Sequence, residues 1–227
     1  MIRPTAGQAG QSAPLESEEL HRRRTAVTAL GHELRDLADA GVTTTAPSET
    51  LHQVADAARR LAERLAGPRR PRAVVPDVDE FAAGLRFYNP VVGAGNPLAP
   101  PMRIETTATT VTGHCALGPL HEGPPGYAHG GMSAMLLDEV MGQACLHAGQ
   151  PSMTVALTIR YLRPLALGTP VRVRARITRT EDRKIVVHGS IATEAEPDRL
   201  LVEADGTFVT PDPHRTRTLF PHLPQPG

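Results

Sequence analysis

Two features lie close enough along the chain to do chemistry together: His129-Gly130-Gly131, and the carboxylate of Asp138 nine residues after His129. The stretch from Met132 to Ala148 is apolar and of helical length, so the two glycines open a helix. Its first N–H groups are covered by no side chain. The helix dipole draws negative charge to that end, for example a carbonyl oxygen turning into an oxyanion under attack. Glycine suits the position because a side chain would block approach to the backbone. Asp138 stands in the middle of the apolar run, where a carboxylate is costly unless it faces a partner or a cavity. Such a group activates water as a general base or attacks a carbonyl itself. The bland alternative is a surface position paired with an arginine, and Glu139 beside it is expected to be exposed.

Those residues need a scaffold, and the rest of the chain suggests one. Residues around Met102 to Leu117, rich in Thr and Val, suit one or two strands. After the helix come four strand patterns, with Val155, Leu157, Ile159 and Tyr161 alternating along the first. Along the second, Val171, Val173, Ala175 and Ile177 alternate with Arg172, Arg174 and Arg176, whose side chains are expected on the solvent face. Ile185, Val187 and Ile191 mark the third; Leu200, Val202, Ala204 and Phe208 mark the fourth. Turns fall at Glu181-Asp182-Arg183-Lys184 and Glu196-Pro197-Asp198. A helix with apolar residues on more than one side, set among antiparallel strands, must be enclosed by them, which predicts an α+β class.

Upstream, Leu20, Val27, Leu30, Leu34 and Leu37 recur at helical spacing until Gly41. A second helix runs from Ser48, as N-cap, through Leu51, Val54, Leu61 and Leu65 to Gly67-Pro68. The expected organisation is a disordered tail over 1–15, a helical hairpin over 16–67 and a Pro/Gly-rich linker over 68–101 that wraps a surface. The strand-rich domain follows over 102–212, with a tail over 213–227.

Bulk properties narrow the function. Lys+Arg and Asp+Glu both number 24, so no global field favours nucleic acid or an anionic membrane. No membrane span or secretion signal is visible, and a cytoplasmic protein is expected. Cys115 and Cys145 form neither a disulfide framework nor a metal pair, and Cys145 is expected to be a small core residue. The spacing of His114, His121 and His129 fits no common zinc pattern, so no metal is expected.

The motif His129-Gly130-Gly131 with Asp138 resembles the signature of the PaaI-type hotdog-fold acyl-CoA thioesterases. His121-Glu-Gly-Pro-Pro-Gly, Met153-Thr154, Arg160-Tyr161-Leu162-Arg163-Pro164 and Glu181-Asp182-Arg183-Lys184 extend the resemblance over about Val91 to Pro211. It implies a hotdog fold, an antiparallel sheet wrapped around one long helix, here with an N-terminal helical extension. It implies hydrolysis of an acyl-CoA to a free carboxylic acid and coenzyme A, with no cofactor beyond the coenzyme A of the substrate. By the same resemblance Asp138 is the catalytic carboxylate, Gly130 the donor to the thioester carbonyl and His129 the brace of that loop, while Gly131 is expected to help bind the coenzyme A. Thr154 matches a hydroxyl that positions the attacking water; Arg160, Arg183 and Lys184 match positions that meet the coenzyme A phosphates. A homodimer or dimer of dimers, with residues from both chains in each site, is implied as well. Many such enzymes carry Asn or Gln six residues before the motif histidine, where this chain has Gly123. His121 or Glu122 are the candidates to take over its task.

Two other readings compete. An acyl-CoA-binding regulator would use the N-terminal helices on DNA, but they show no recognition helix and their charges nearly cancel. A hydratase of the same fold would pair an Asp with a His inside the buried helix, and no such pair is present.

Overall fold

The computed structural model describes residues 17–71, 74–81 and 84–212. Helices α1 (Ser17–Thr43) and α2 (Ser48–Arg64) come first. Then follow strands β1 (Arg103–Thr106) and β2 (Val111–Ala116), helix α3 (Gly130–His147), and strands β3 (Met153–Tyr161), β4 (Pro170–Glu181), β5 (Lys184–Thr193) and β6 (Leu200–Val209). The strands form one antiparallel sheet in the order β1-β2-β4-β5-β6-β3. This is the α+β hotdog fold with an N-terminal helical region. β4 follows its alternation closely, with Val171, Val173 and Ala175 buried. Arg174 and Arg176 are exposed, whereas Arg172 is half-buried and paired with Glu194 at 2.6 Å.

The sheet curls around α3. Leu136, Leu137, Val140 and Met141 are fully enclosed, and Ala144 and Cys145 are buried beside them. Three glycines on the inner face make room for the helix. A Cβ at Gly113 would meet Val140 at 3.0 Å, one at Gly189 would meet Leu137 at 3.0 Å, and one at Gly206 would meet Met141 at 2.6 Å. Bulges on β3, β4 and the β5–β6 pair bend the strands.

The linker is more than a surface wrap. Val91 joins the core and Ala99 is fully buried, and Asn89 Nδ2 donates to Glu139 Oε2 at 2.8 Å. Glu139 is therefore half-buried rather than exposed, because it anchors this segment to α3. On the far side α1 lies against the same segment. A Cβ at Gly31 would stand 2.2 Å from the Ala94 carbonyl oxygen, and Arg35 donates to the carbonyls of Ala94 and Asn96.

α1 continues through Gly41 to Thr43, and the N-cap of α2 is Pro47, one residue before Ser48, with no side-chain cap. Both expected helices form. α2 buries no residue, and Leu51, Val54, Leu61 and Leu65 remain exposed. No helix among the described residues is long and apolar enough to cross a membrane. The expected tails over 1–15 and 213–227 lie outside the described residues.

Since the enclosed helix carries the core, Leu137→Ala is expected to cost about 2–5 kcal/mol in urea unfolding. The same exchange at exposed Leu51 is expected to cost under about 0.5 kcal/mol.

Candidate active site

The loop entering α3 is fixed from several sides. His121, 6% exposed, accepts the Gly118 N–H at Nδ1 and donates from Nε2 to the Leu98 carbonyl. Its own carbonyl accepts the His129 N–H at 2.8 Å. Glu122 accepts the Gly126 N–H, and the Tyr127 N–H donates to the Pro124 carbonyl in a tight turn. Both His121 and Glu122 thus help to hold the loop, through both ring nitrogens of His121 and one carboxylate oxygen of Glu122. Space explains the glycine at position 123, since a Cβ on Gly123 would sit 2.7 Å from the His129 Cα.

At the start of α3, His129 is the N-cap and its Nδ1 accepts the Gly131 N–H at 3.0 Å. The Met132 N–H turns back to the His129 carbonyl. The Gly130 N–H has no partner among the described residues and stays free at the positive end of the helix dipole. Tyr161 lies over this turn and its hydroxyl donates to the Gly130 carbonyl at 3.0 Å.

Asp138 is half-buried on the same helix, and its Oδ1 accepts the Thr154 hydroxyl at 2.6 Å. A break in strand alternation makes this contact. The register of β3 against β6 skips Val155, which is 65% exposed instead of facing inward as its alternation with Leu157 predicts. The bulge reverses the parity before it. Thr154 then shares the inner face with its partner Phe208, which is buried, and reaches Asp138.

Of the residues singled out in the sequence, His129, Gly130 and Gly131 gather at the N-terminus of α3, and Asp138 meets Thr154. The cations stand apart. Arg160 pairs with Glu203 and Asp205 on the outer face, and Arg183 pairs with Asp212. Lys184 is exposed beside Val209, six residues along β6 from the Glu203 that neighbours Arg160, or roughly 20 Å. Tyr161 is the site residue that its sequence pattern places in a strand and no more. Burial pushes the thiols of Cys115 and Cys145 up to about 12 and about 11, so both are neutral at physiological pH and unsuited as nucleophiles.

An enclosed helix inside a curled antiparallel sheet, with a free N–H at its start and a carboxylate further along, defines a hotdog protein. A sequence model of the thioesterase superfamily matches residues 125–198. The crystal structure of protein RHA08564, a thioesterase superfamily protein, is 31% identical over 81% of this chain and 94% of that one, with a TM-score of 0.71. The chain belongs to the thioesterase superfamily. Acyl-coenzyme A thioesterase THEM4 of Xenopus laevis is 33% identical over 92 residues, covering 40% of this chain and 41% of that protein. Its namesake from Mus musculus is 34% identical over 102 residues, covering 44% of each. The chain spans less than half the length of these curated relatives.

Because the Gly130 N–H is unpaired and stands at the first helical position, proline there removes that donor without breaking a helical hydrogen bond, and the exposed Tyr161 ring, 3.3 Å from the added Cβ, shifts by a few tenths of an ångström to admit it. Gly130→Pro is expected to leave unfolding free energy within about 1 kcal/mol of the parent. Gly123→Asn, pressed against the His129 backbone, is expected to cost about 1–3 kcal/mol. Denaturant titrations of both variants check the contrast.

Proposed function

We propose that the chain hydrolyses an acyl-CoA thioester to a free carboxylic acid and coenzyme A. The observation that carries this reading is the pairing of a free Gly130 N–H at a helix N-terminus with a carboxylate, Asp138, held by Thr154. The thioester carbonyl oxygen accepts the Gly130 N–H, which stabilises the charge that develops as the carbon is attacked. Asp138 either takes the proton of an attacking water, which Thr154 helps position, or attacks the carbon itself. Collapse of the tetrahedral species breaks the C–S bond, and the coenzyme A thiolate leaves and takes up a proton; where Asp138 is the nucleophile, water then hydrolyses the acyl-Asp138 anhydride to the free acid and restores the carboxylate. Names of relatives such as acyl-coenzyme A thioesterase THEM4 support the substrate class.

Geometry supports a site shared between two copies of the chain. Gly130 and Asp138 are eight residues apart on α3, so about 12 Å of rise and roughly 80° of rotation separate them. That is too far for both to meet one carbonyl group directly. Each is tied to a different end of β3, Gly130 to Tyr161 and Asp138 to Thr154. β3 is an edge strand with Met153, Val155 and Tyr161 exposed, the kind of edge that invites a partner. Antiparallel pairing of β3 with its symmetry mate brings the Gly130 end of one chain to the Asp138 end of the other. It also brings Arg160 of one chain toward Arg183 and Lys184 of the other, where together they would meet the phosphates of coenzyme A. A homodimer is the smallest assembly that completes the site, and a dimer of dimers preserves it.

Thiol release from a panel of acyl-CoAs, short to long and including an aromatic one, tests the reading. Turnover by the parent and a loss of roughly a hundredfold or more in Asp138→Ala are expected. Gly130→Pro is expected to lose about a hundredfold to a thousandfold in kcat. Acyl-CoA binding without turnover on any member would instead favour an acyl-CoA-binding regulator.

A further inference from the structure

Tyr161 ends β3 on the inner face of the sheet, paired with buried Val202, yet its side chain is 56% exposed. It reaches past the core to the first turn of α3. Its ring lies where a Cβ on Gly130 would meet Cε1 and Cζ, both at 3.3 Å, and its hydroxyl donates to the Gly130 carbonyl at 3.0 Å. The Gly130–Gly131 peptide is therefore held at both ends. Its carbonyl takes the Tyr161 proton, and its N–H is given to His129 Nδ1 at 3.0 Å. The preceding peptide keeps its carbonyl on the Met132 N–H and leaves the Gly130 N–H free.

Two successive glycines at a helix end have unusual backbone freedom, and helix ends fray. A donor that must point at a developing oxyanion needs that freedom removed. We infer that Tyr161 is a positioning residue, whose hydroxyl pins the Gly130–Gly131 peptide so that the adjoining Gly130 N–H keeps its aim at the substrate carbonyl. The inference rests on the thioesterase reading and deepens it. Tyr161 acts through Gly130, and its effect belongs to the step in which charge builds on the carbonyl oxygen rather than to substrate capture.

Tyr161→Phe keeps the ring and deletes the hydroxyl. The purified full chain is expected to lose about tenfold in kcat, the equivalent of one hydrogen bond. KM for a good acyl-CoA is expected to stay within about twofold, and the thermal midpoint to fall by no more than about 4 °C. A variant matching the parent in kcat, alongside an inactive Asp138→Ala, would overturn this inference and leave the thioesterase reading standing. So would a variant in which KM and thermal stability deteriorate together with kcat, since that pattern marks a packing role. A parent protein silent on every thioester would overturn the thioesterase reading, and the role of Tyr161 with it.

Discussion

Enclosure of α3 by the sheet is the constraint on which the rest of the structure depends. An apolar helix with Leu136, Leu137, Val140 and Met141 fully out of water has to be wrapped, and the strands curl to do it. Glycines on β2, β5 and β6 let the sheet approach, and bulges supply the curvature. Enclosure cannot extend to the first turn, where the backbone donors need partners or open space. His129 and Tyr161 satisfy their neighbours there, and one N–H is left over. Burial of the helix body and availability of its N-terminus are two results of the same packing.

The N-terminal region adds a second layer to that arrangement. α1 holds the segment around Ala94 to Asn96, that segment is anchored to α3 through Asn89 and Glu139, and Leu98 accepts a bond from His121. Asp39 on α1 also accepts the Leu120 N–H at 3.3 Å. The loop that delivers His129 to the helix start is thereby braced from outside the sheet. Its position at Gly123 has no room for a side chain, so the loop is held by backbone contact where an amide would otherwise stand.

Much of this was legible in the residues. The period-2 pattern of Val171, Val173 and Ala175 is that of a half-buried strand, and apolar residues on more than one side of α3 predict enclosure. The motif glycines and Asp138 stand out because a double glycine and a carboxylate are expensive in an apolar helix unless something uses them. What escaped the sequence was register. Nothing in Met153-Thr154-Val155 announces the bulge that exposes Val155 and turns Thr154 toward Asp138, because a bulge is a property of the strand pair. Glu139 reads as exposed in the sequence because its partner, Asn89, lies fifty residues away in a segment without periodicity. Tyr161 fits its strand pattern, and that pattern gives no sign of the contact its hydroxyl makes.

The central claim is that each site takes its carbonyl-binding N–H from one copy of the chain and its carboxylate from another. Mixing two separately inactive variants, Gly130→Pro and Asp138→Asn, after confirmed subunit exchange tests it most directly. Equal exchange makes about half the dimers mixed, and each mixed dimer holds one intact site, so about a quarter of the parent activity should return. Exchange without any recovery would contradict the account and place both groups of each site on a single chain.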